Sequence, residues 1–357
     1  MKTIHDRINR EHIQLMTILD VEKKVIDYEK RWEDLRLFRN RMADYVEGYN
    51  TDITSDLSSK VVVLENGHII DHHALGYFAP MHFKRYGFVD KTSNLTNKIT
   101  PVNQITTLAE FLNRNNVRFI YVPLPCKGAV YPEIIVESDF IPDDGMIIPQ
   151  WRNMLYELAL NNIELVDCYN ELCNVKKTFT KNHHISPLGA QIVGKKIAGY
   201  IMKTTEFTAS EDFKSKENIL GSPTLMRSGD NNSVEMGMDY FDTESHYYRI
   251  SDKYVPFSGR NIRSEIAIIG DCNLQAYRGT GSDLTAQISG NLRYPIKYLG
   301  RYLPFAKKDS IEKLPKGTLK GVKILLYVGF ISACFVRACR EDDSWSTHLP
   351  DENIFSC

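Results

Sequence analysis

The stretch IAIIGDCN, residues 266–273, decides the fold that we predict for this chain. Four apolar residues lead without alternation into Gly270 and Asp271, and a thiol, Cys272, follows at once. A short, uniformly apolar run is typical of a parallel strand that is covered on both faces. The sequence therefore predicts a buried strand that presents Cys272 at its carboxyl end, with Asp271 fixing the turn by hydrogen bonding.

Further apolar runs share this character, and helical patterns lie between them. The predicted strands are Val61–Leu64, Val117–Val122, Ile163–Val166, Ile266–Ile269 and Val322–Val328. The predicted helices are Thr106–Asn115, Trp151–Leu160 and Pro187–Met202, the last with Ser186 as N-cap and Pro187 at the first helical position. Strands that alternate with helices indicate a doubly wound α/β protein with a central, mostly parallel sheet of five strands.

The chain divides into three parts by composition. Residues 1–58 form a predicted N-terminal helical cap, because dense charges and apolar residues recur there at helical spacing; a dimerisation helix is the alternative. Residues 59–340 form the α/β domain, in which the polar stretch 204–260 is a predicted insertion, or lid, over the active face. Residues 341–357 are a polar tail that we expect to be frayed.

Composition and charge argue against several classes of partner. The 357 residues are 43% hydrophobic and 25% charged, which is enough to bury a full core, and the net charge is −1. We therefore expect no long-range attraction to nucleic acid or to an anionic membrane. No apolar run has the length of a signal sequence or a membrane span, so we expect a cytoplasmic protein. Its seven cysteines are expected to be reduced, and none has the spacing of a zinc site, so no metal is predicted.

Three residues form the predicted catalytic set: Cys272 as nucleophile, His184 as base and Asn182 as the group that orients the base. Ligands of parallel α/β sheets bind at the carboxyl ends of the strands, which is where Cys272 stands. Asn182 and His184 are two positions apart, so in an extended loop their side chains point the same way. His183 is the competing base, but its side chain would point elsewhere. Papain-like proteases distribute the same roles over cysteine, histidine and asparagine.

Four further residues are predicted substrate contacts. Lys127 and Tyr131 follow the second predicted strand, although an ordinary surface position is the alternative for both. Asn273 adjoins the nucleophile, and Arg278 lies close to it in sequence. The guanidinium of Arg278 suits an anionic acyl donor.

Three segments carry a resemblance to a known family. KNHHISPLGA, residues 181–190, resembles the D-x-H-W-[ST]-P-x-G-A motif of the SGNH-like alginate O-acetyltransferase family, with Asn182 in place of its aspartate and Ile185 in place of its tryptophan. VPLPCKGAVYPE, residues 122–133, is similar to the family's proline–lysine–tyrosine–proline block. IIGDC, residues 268–272, is similar to the glycine-led strand end of SGNH hydrolases, with Cys272 where a serine is normal.

The resemblance implies an SGNH-hydrolase-like (flavodoxin-like) three-layer fold in permuted order, since the histidine motif precedes the nucleophile. It also implies acyl transfer. A cysteine suits a thioester donor, such as CoA or an acyl-carrier protein, because the enzyme thioester is close to the donor in energy. The acceptor would be a hydroxyl or amine on a small molecule or carbohydrate, in a biosynthetic pathway and without a resident cofactor. The alternatives are a thioesterase or esterase, and a non-catalytic binding protein that keeps the cleft.

Overall fold

The computed structural model describes a set of segments that covers most of the predicted α/β domain. These are residues 5–6, 61–63, 68–71, 101–134, 149–180, 184–206, 220–229, 241–250, 258–259, 263–276, 283–302, 311–330 and 350–356. The strands are β1 (His5–Asp6), β2 (Val61–Val63), β3 (Ile69–Asp71), β4 (Arg118–Leu124), β5 (Glu164–Leu165), β6 (Thr205–Glu206), β7 (Leu220–Gly229), β8 (Phe241–Ile250), β9 (Ser258–Gly259), β10 (Ile266–Gly270), β11 (Ile296–Arg301) and β12 (Ile324–Phe330). The helices are α1 (Pro101–Arg114), α2 (Lys127–Val130), α3 (Pro149–Leu160), α4 (Tyr169–Cys173), α5 (Pro187–Thr204) and α6 (Leu284–Leu292).

The main sheet is entirely parallel. Within the described segments its strand order is β5–β4–β12–β10–β11–β9, and each neighbouring pair runs in the same direction. β4, β10 and β12 are buried along their whole length, and apart from Arg118 at the start of β4 they carry no charged residue, as expected for parallel strands covered on both faces. The predicted α/β fold with a five-stranded parallel sheet is confirmed, and β9 adds a two-residue strand at one edge.

Helices cover both faces of this sheet, which makes three layers. On one face, apolar residues of α5 and α6 share a core with alternate residues of β4, β10 and β12. On the other face, Phe119 and Tyr121 of β4 stack on Tyr327 of β12. α1 and α3 pack against each other, and α1 packs against β4.

Read from β10, the sheet has the strand order of flavodoxin-like proteins. If β10, β11, β12, β4 and β5 are numbered one to five, the order across the sheet is 2-1-3-4-5. The chain therefore carries this topology in permuted order, with its last three long strands in the first three places. In such sheets the ligand crevice lies at the carboxyl ends of the first and third strands, here β10 and β12. Cys272 comes directly after β10, where this rule places the ligand.

Two parts of the strand prediction need correction. Val61–Leu64 is wrong as a member of the parallel sheet, because β2 pairs antiparallel with β3 in a separate two-stranded sheet. Asn66-Gly67, between the two strands in sequence, is a typical hairpin-turn dipeptide. The prediction also misses β11, in which Lys297 and Arg301 interrupt the apolar pattern.

The predicted helices are confirmed as α1, α3 and α5, the first two of which begin a few residues before the predicted starts. The predicted N-terminal helix lies outside the described residues, apart from His5 and Asp6. These two form β1, which pairs antiparallel with β6, so the helix prediction is wrong at both positions. No described helix combines the length and the apolar character that a membrane crossing requires.

The polar stretch 204–260 contains a long antiparallel hairpin. β7 pairs with β8, and β8 contacts α5 and α6, while β9 joins the edge of the main sheet. That the stretch 204–260 acts as a lid stays a prediction.

The expectation of a frayed tail is wrong for residues 350–356. Ile354 is fully buried, its carbonyl accepts from Leu319 N at 2.9 Å, and the ring of Phe355 lies 5.7 Å from that of Phe111. The end of the described chain is therefore packed on the α/β core.

Candidate active site

The turn after β10 presents Cys272. Asp271 caps a short 3₁₀ helix, Cys272–Leu274, and its Oδ1 accepts from Asn273 N at 2.8 Å. Gly270 is required before the turn, because a Cβ there would lie 1.9 Å from the carbonyl oxygen of Val328. Cys272 is partly exposed at the end of this buried strand.

Asp271 also ties β10 to β12. Its second carboxylate oxygen, Oδ2, accepts from Phe330 N at 2.5 Å, and its own N–H donates to Val328 O at 3.2 Å. The carboxylate therefore sits between the carboxyl ends of the two strands that border the crevice. This confirms that Asp271 fixes the turn by hydrogen bonding.

His184 lies in a narrow loop that leads into α5. Phe179 and Ile185 form an antiparallel bridge across this loop. Thr180 donates to the carbonyl oxygen of His184 twice, from N at 3.0 Å and from Oγ1 at 3.2 Å. His184 is 1% exposed, and its Nε2 is shielded from solvent. The loop thus holds the imidazole inside the protein.

The residues after His184 start α5 in a defined position. Ser186 caps the helix: its Oγ accepts from Gly189 N at 3.1 Å and donates to Lys177 O at 2.6 Å. A Cβ on Gly189 would lie 2.2 Å from the carbonyl oxygen of Thr178, so a residue without a side chain is needed there. The serine and glycine of the histidine motif therefore fix the helix start against the loop.

The side-chain amide of Asn273 joins two segments. These are the cysteine turn, residues 271–274, and the histidine loop, of which residues 178–180 and 184–186 are described. Its Oδ1 accepts from Ile185 N at 3.0 Å, and its Nδ2 donates to Asp271 Oδ1 at 3.0 Å. The residue after Cys272 is thus hydrogen-bonded to the residue after His184. The structure therefore brings together the two segments that carry the predicted nucleophile and base.

Lys127 and Tyr131 also make contacts within the protein. Lys127 is buried and its Nζ donates to Thr180 O at 2.6 Å. Tyr131 Oη accepts from Thr178 N at 2.8 Å and donates to Val175 O at 3.0 Å. Burial raises the pKa of Tyr131 above its ordinary value, so the phenol stays a donor at neutral pH. Both side chains support the histidine loop, and their contact with substrate stays a prediction.

Two predicted site residues, Asn182 and Arg278, lie outside the described residues, and their roles stay predictions. The predicted contact of Asn273 with substrate also stays a prediction; this residue is 1% exposed. Thr178 and Thr180, which hold the loop, are not among the residues predicted from the sequence. Their only signal is the alternation of polar and apolar residues in TFT, residues 178–180, which is typical of a strand.

Comparisons with known proteins give structural likeness only. Neither a family model nor a curated protein sequence matches this chain. The O-acetyltransferase domain of Pseudomonas putida AlgJ is similar with a TM-score of 0.47 and 10% identity, over 80% of this chain and 94% of that one. Pseudomonas aeruginosa AlgX has a TM-score of 0.44 and 14% identity, over 83% and 70% of the two chains. Bacillus cereus PatB1, in a structure with a sulfonyl adduct, has a TM-score of 0.45 and 11% identity, over 77% of this chain and 95% of that one. Because these TM-scores are below 0.5, the fold assignment rests on the sheet itself.

Proposed function

We propose that this protein is an acyltransferase that carries the acyl group on the sulfur of Cys272. One observation supports it above the others: the hydrogen bond from Ile185 N to Asn273 Oδ1, which draws the histidine loop onto the cysteine turn. Cys272 is partly exposed just after β10, at the carboxyl ends of the strands, which is where ligands of such sheets bind. Cys126 and Cys168, in contrast, are buried, and burial raises the pKa of the Cys168 thiol.

The proposed reaction has two halves, and His184 moves a proton in each. In the first, His184 takes the thiol proton, the sulfur of Cys272 attacks the donor carbonyl, and the donor thiol leaves with that proton. In the second, His184 takes a proton from the acceptor hydroxyl or amine, which attacks the acyl-Cys272 carbonyl. The C–S bond then breaks and the Cys272 thiol regains the proton. Asn182 would orient the imidazole by accepting from its other nitrogen.

A thioester donor fits this chemistry best. Transfer from one thiol to another exchanges bonds of nearly equal energy, so loading Cys272 from CoA or an acyl-carrier protein is readily reversible, while transfer to an alcohol or amine drives the sequence forward. Arg278 would bind the anionic part of the donor, with Lys127 and Tyr131 as further candidate contacts. We further propose a cytoplasmic location, where such thiols stay reduced.

Intact mass spectrometry tests this proposal. After incubation with acetyl-CoA, or with an acetylated acyl-carrier protein, we expect a mass increase of one acetyl group, mapped to Cys272. Cys272→Ala should abolish the adduct. Cys173→Ala should retain it, because Cys173 is also partly exposed but lies in α4. His184→Ala should slow its formation by about 10²–10⁴-fold, the usual contribution of general acid–base catalysis.

Three outcomes separate the alternatives. An adduct that passes to an added alcohol or amine supports acyl transfer. An adduct that forms, and then decays at the same rate whether or not an alcohol or amine is added, indicates a thioesterase. If no donor gives an adduct, and iodoacetamide near pH 6 labels Cys272 no faster than Cys173, the enzyme hypothesis fails and the binding protein is favoured, because ordinary thiols with a pKa of about 8.5 are protonated there.

A further inference from the structure

The peptide unit between His184 and Ile185 is held from both sides. Its carbonyl oxygen accepts from Thr180 N at 3.0 Å and from Thr180 Oγ1 at 3.2 Å. Its N–H donates to Asn273 Oδ1 at 3.0 Å. The backbone that carries the imidazole is therefore fixed by its own loop on one side and by the cysteine turn on the other.

The amide of Asn273 is itself oriented by its neighbours. Its Nδ2 donates to Asp271 Oδ1 at 3.0 Å, and the same oxygen accepts from Asn273 N at 2.8 Å. A carboxylate can only accept, so the NH₂ group must face Asp271 and the amide oxygen must face Ile185. Asp271 is held in turn by Phe330 N. A chain of hydrogen bonds thus runs from the end of β12, through the cysteine turn, to the histidine loop.

We infer that Asn273 is a positioning residue, which sets the separation of the Cys272 sulfur and the His184 imidazole by fastening the histidine loop to the cysteine turn. Asn273 is 1% exposed and its amide is hydrogen-bonded on both sides, so it is better placed to hold the backbone than to bind substrate. The chemical consequence of this inference rests on the proposed function, whereas the contact itself does not. A displacement of about 1 Å at a reacting pair can lower a rate by about 10²-fold.

A double-mutant cycle on thiol alkylation tests the inference without an acyl donor. The rate of iodoacetamide labelling of Cys272 is measured in the wild type, His184→Ala, Asn273→Leu and the double variant. Leucine has a similar size and makes no hydrogen bond. We expect Asn273→Leu alone to lower the labelling rate by about tenfold or more. We expect His184→Ala to lower the rate in the wild-type background and to change it little in the Asn273→Leu background. Amide hydrogen exchange at Ile185 should become faster in Asn273→Leu.

Two further variants separate positioning from general destabilisation. Asn273→Gln keeps an amide that can accept from Ile185 N and donate to Asp271, and it should retain more of the labelling rate than Asn273→Leu. Leu158→Ala empties a fully buried position in α3, before the amino end of β5, and should leave the labelling rate of the folded protein unchanged.

A His184→Ala effect of the same size in both backgrounds would overturn the inference, and so would unchanged exchange at Ile185. The proposed function fails separately. If the cycle shows coupling but no thioester acylates Cys272, the positioning role stands and the acyl chemistry does not.

Discussion

The amino-terminal and the carboxyl-terminal ends of the strands in the main sheet carry buried polar networks of different kinds. We call these two sides of the sheet the amino edge and the carboxyl edge. At the amino edge, where β4 and β5 begin, the guanidinium of Arg118 donates to both carboxylate oxygens of Glu164, from Nε at 2.8 and 2.9 Å. It also donates to Thr204 Oγ1 at 2.8 Å and Thr205 Oγ1 at 2.6 Å. Tyr200 Oη donates to Glu164 at 3.0 Å, and burial raises the pKa of this phenol, which keeps it a donor. We call these five residues the amino-edge network. Opposite charges meet in it, and most of its contacts join side chains.

At the carboxyl edge, side chains hold backbone groups instead. Asp271 accepts from two backbone amides, Asn273 accepts from Ile185 N, and Lys127 donates to Thr180 O. These five residues form the carboxyl-edge network. β4 has seven residues, so the two edges are about 20 Å apart. The contrast suggests a division of labour, in which the amino edge stabilises the fold and the carboxyl edge sets the paths of the loops beside Cys272.

The largest effect is expected at the amino edge. Glu164→Leu leaves the Arg118 charge buried, since the side chain of Arg118 is 3% exposed, against 16% for Glu164. Loss of one partner of a buried ion pair costs about 3–5 kcal/mol in the free energy of unfolding, which urea denaturation would measure. The rate of Cys272 alkylation in the folded protein should not change.

The double variant Arg118→Met/Glu164→Leu is the control for this prediction. It should be more stable than Glu164→Leu alone, because it leaves no unpaired charge inside the protein. An altered alkylation rate in the folded Glu164→Leu protein would contradict the division of labour between the edges.

A smaller loss of stability with a change in reactivity is expected at the carboxyl edge. In Gly189→Ala the new methyl group would meet Thr178 O at 2.2 Å and push the loop that holds His184. Overpacking of this kind costs about 1–3 kcal/mol, and we expect slower labelling of Cys272 as well. Urea denaturation and iodoacetamide kinetics on the same variant measure both effects.

Gly199→Ala is the matched control, because Gly199 lies in the same helix and a Cβ there has nothing within 4 Å. This variant should be more stable than wild type by up to about 1 kcal/mol, from helix propensity alone, with unchanged labelling. Equal labelling rates in the two alanine variants would show that the start of α5 does not control the histidine loop.

The fold was predictable from sequence wherever burial on both faces forces a strand to be apolar. This holds for β10, for β12 and, after its first residue Arg118, for β4. It fails for β11, because Lys297 interrupts the apolar pattern. The Nζ of Lys297 donates to Thr318 O, a partner 21 positions away that the local pattern does not reveal. It also fails for β2, because a run of three valines is compatible both with an antiparallel hairpin and with a parallel sheet.

The candidate site was predictable only as far as strand ends and a motif allow. Those signals place Cys272 and His184 on segments that the structure joins. They do not reveal what joins them, because the bond between Asn273 and Ile185 spans 88 positions, and that between Lys127 and Thr180 spans 53. From sequence alone, a polar residue beside a nucleophile, such as Asn273, is interpreted as a substrate contact. The folded structure shows that its partner is a backbone amide of the protein itself, Ile185 N.

The smallest effect tests whether burial, and not contact distance, makes the amino-edge network strong. Lys196 and Glu171 form an ion pair with an N–O distance of 2.5 Å, the same as that between Arg118 and Glu164, but their side chains are 34% and 40% exposed. Water already screens these charges, so Lys196→Met should change the free energy of unfolding by less than about 1 kcal/mol in urea denaturation. It should also lose less stability when salt is added than the wild type does, because the wild-type pair is the one that salt weakens. A loss as large as that of Glu164→Leu would mean that the short distance itself determines the strength of both pairs, and the amino edge would then hold no special place in the stability of the fold.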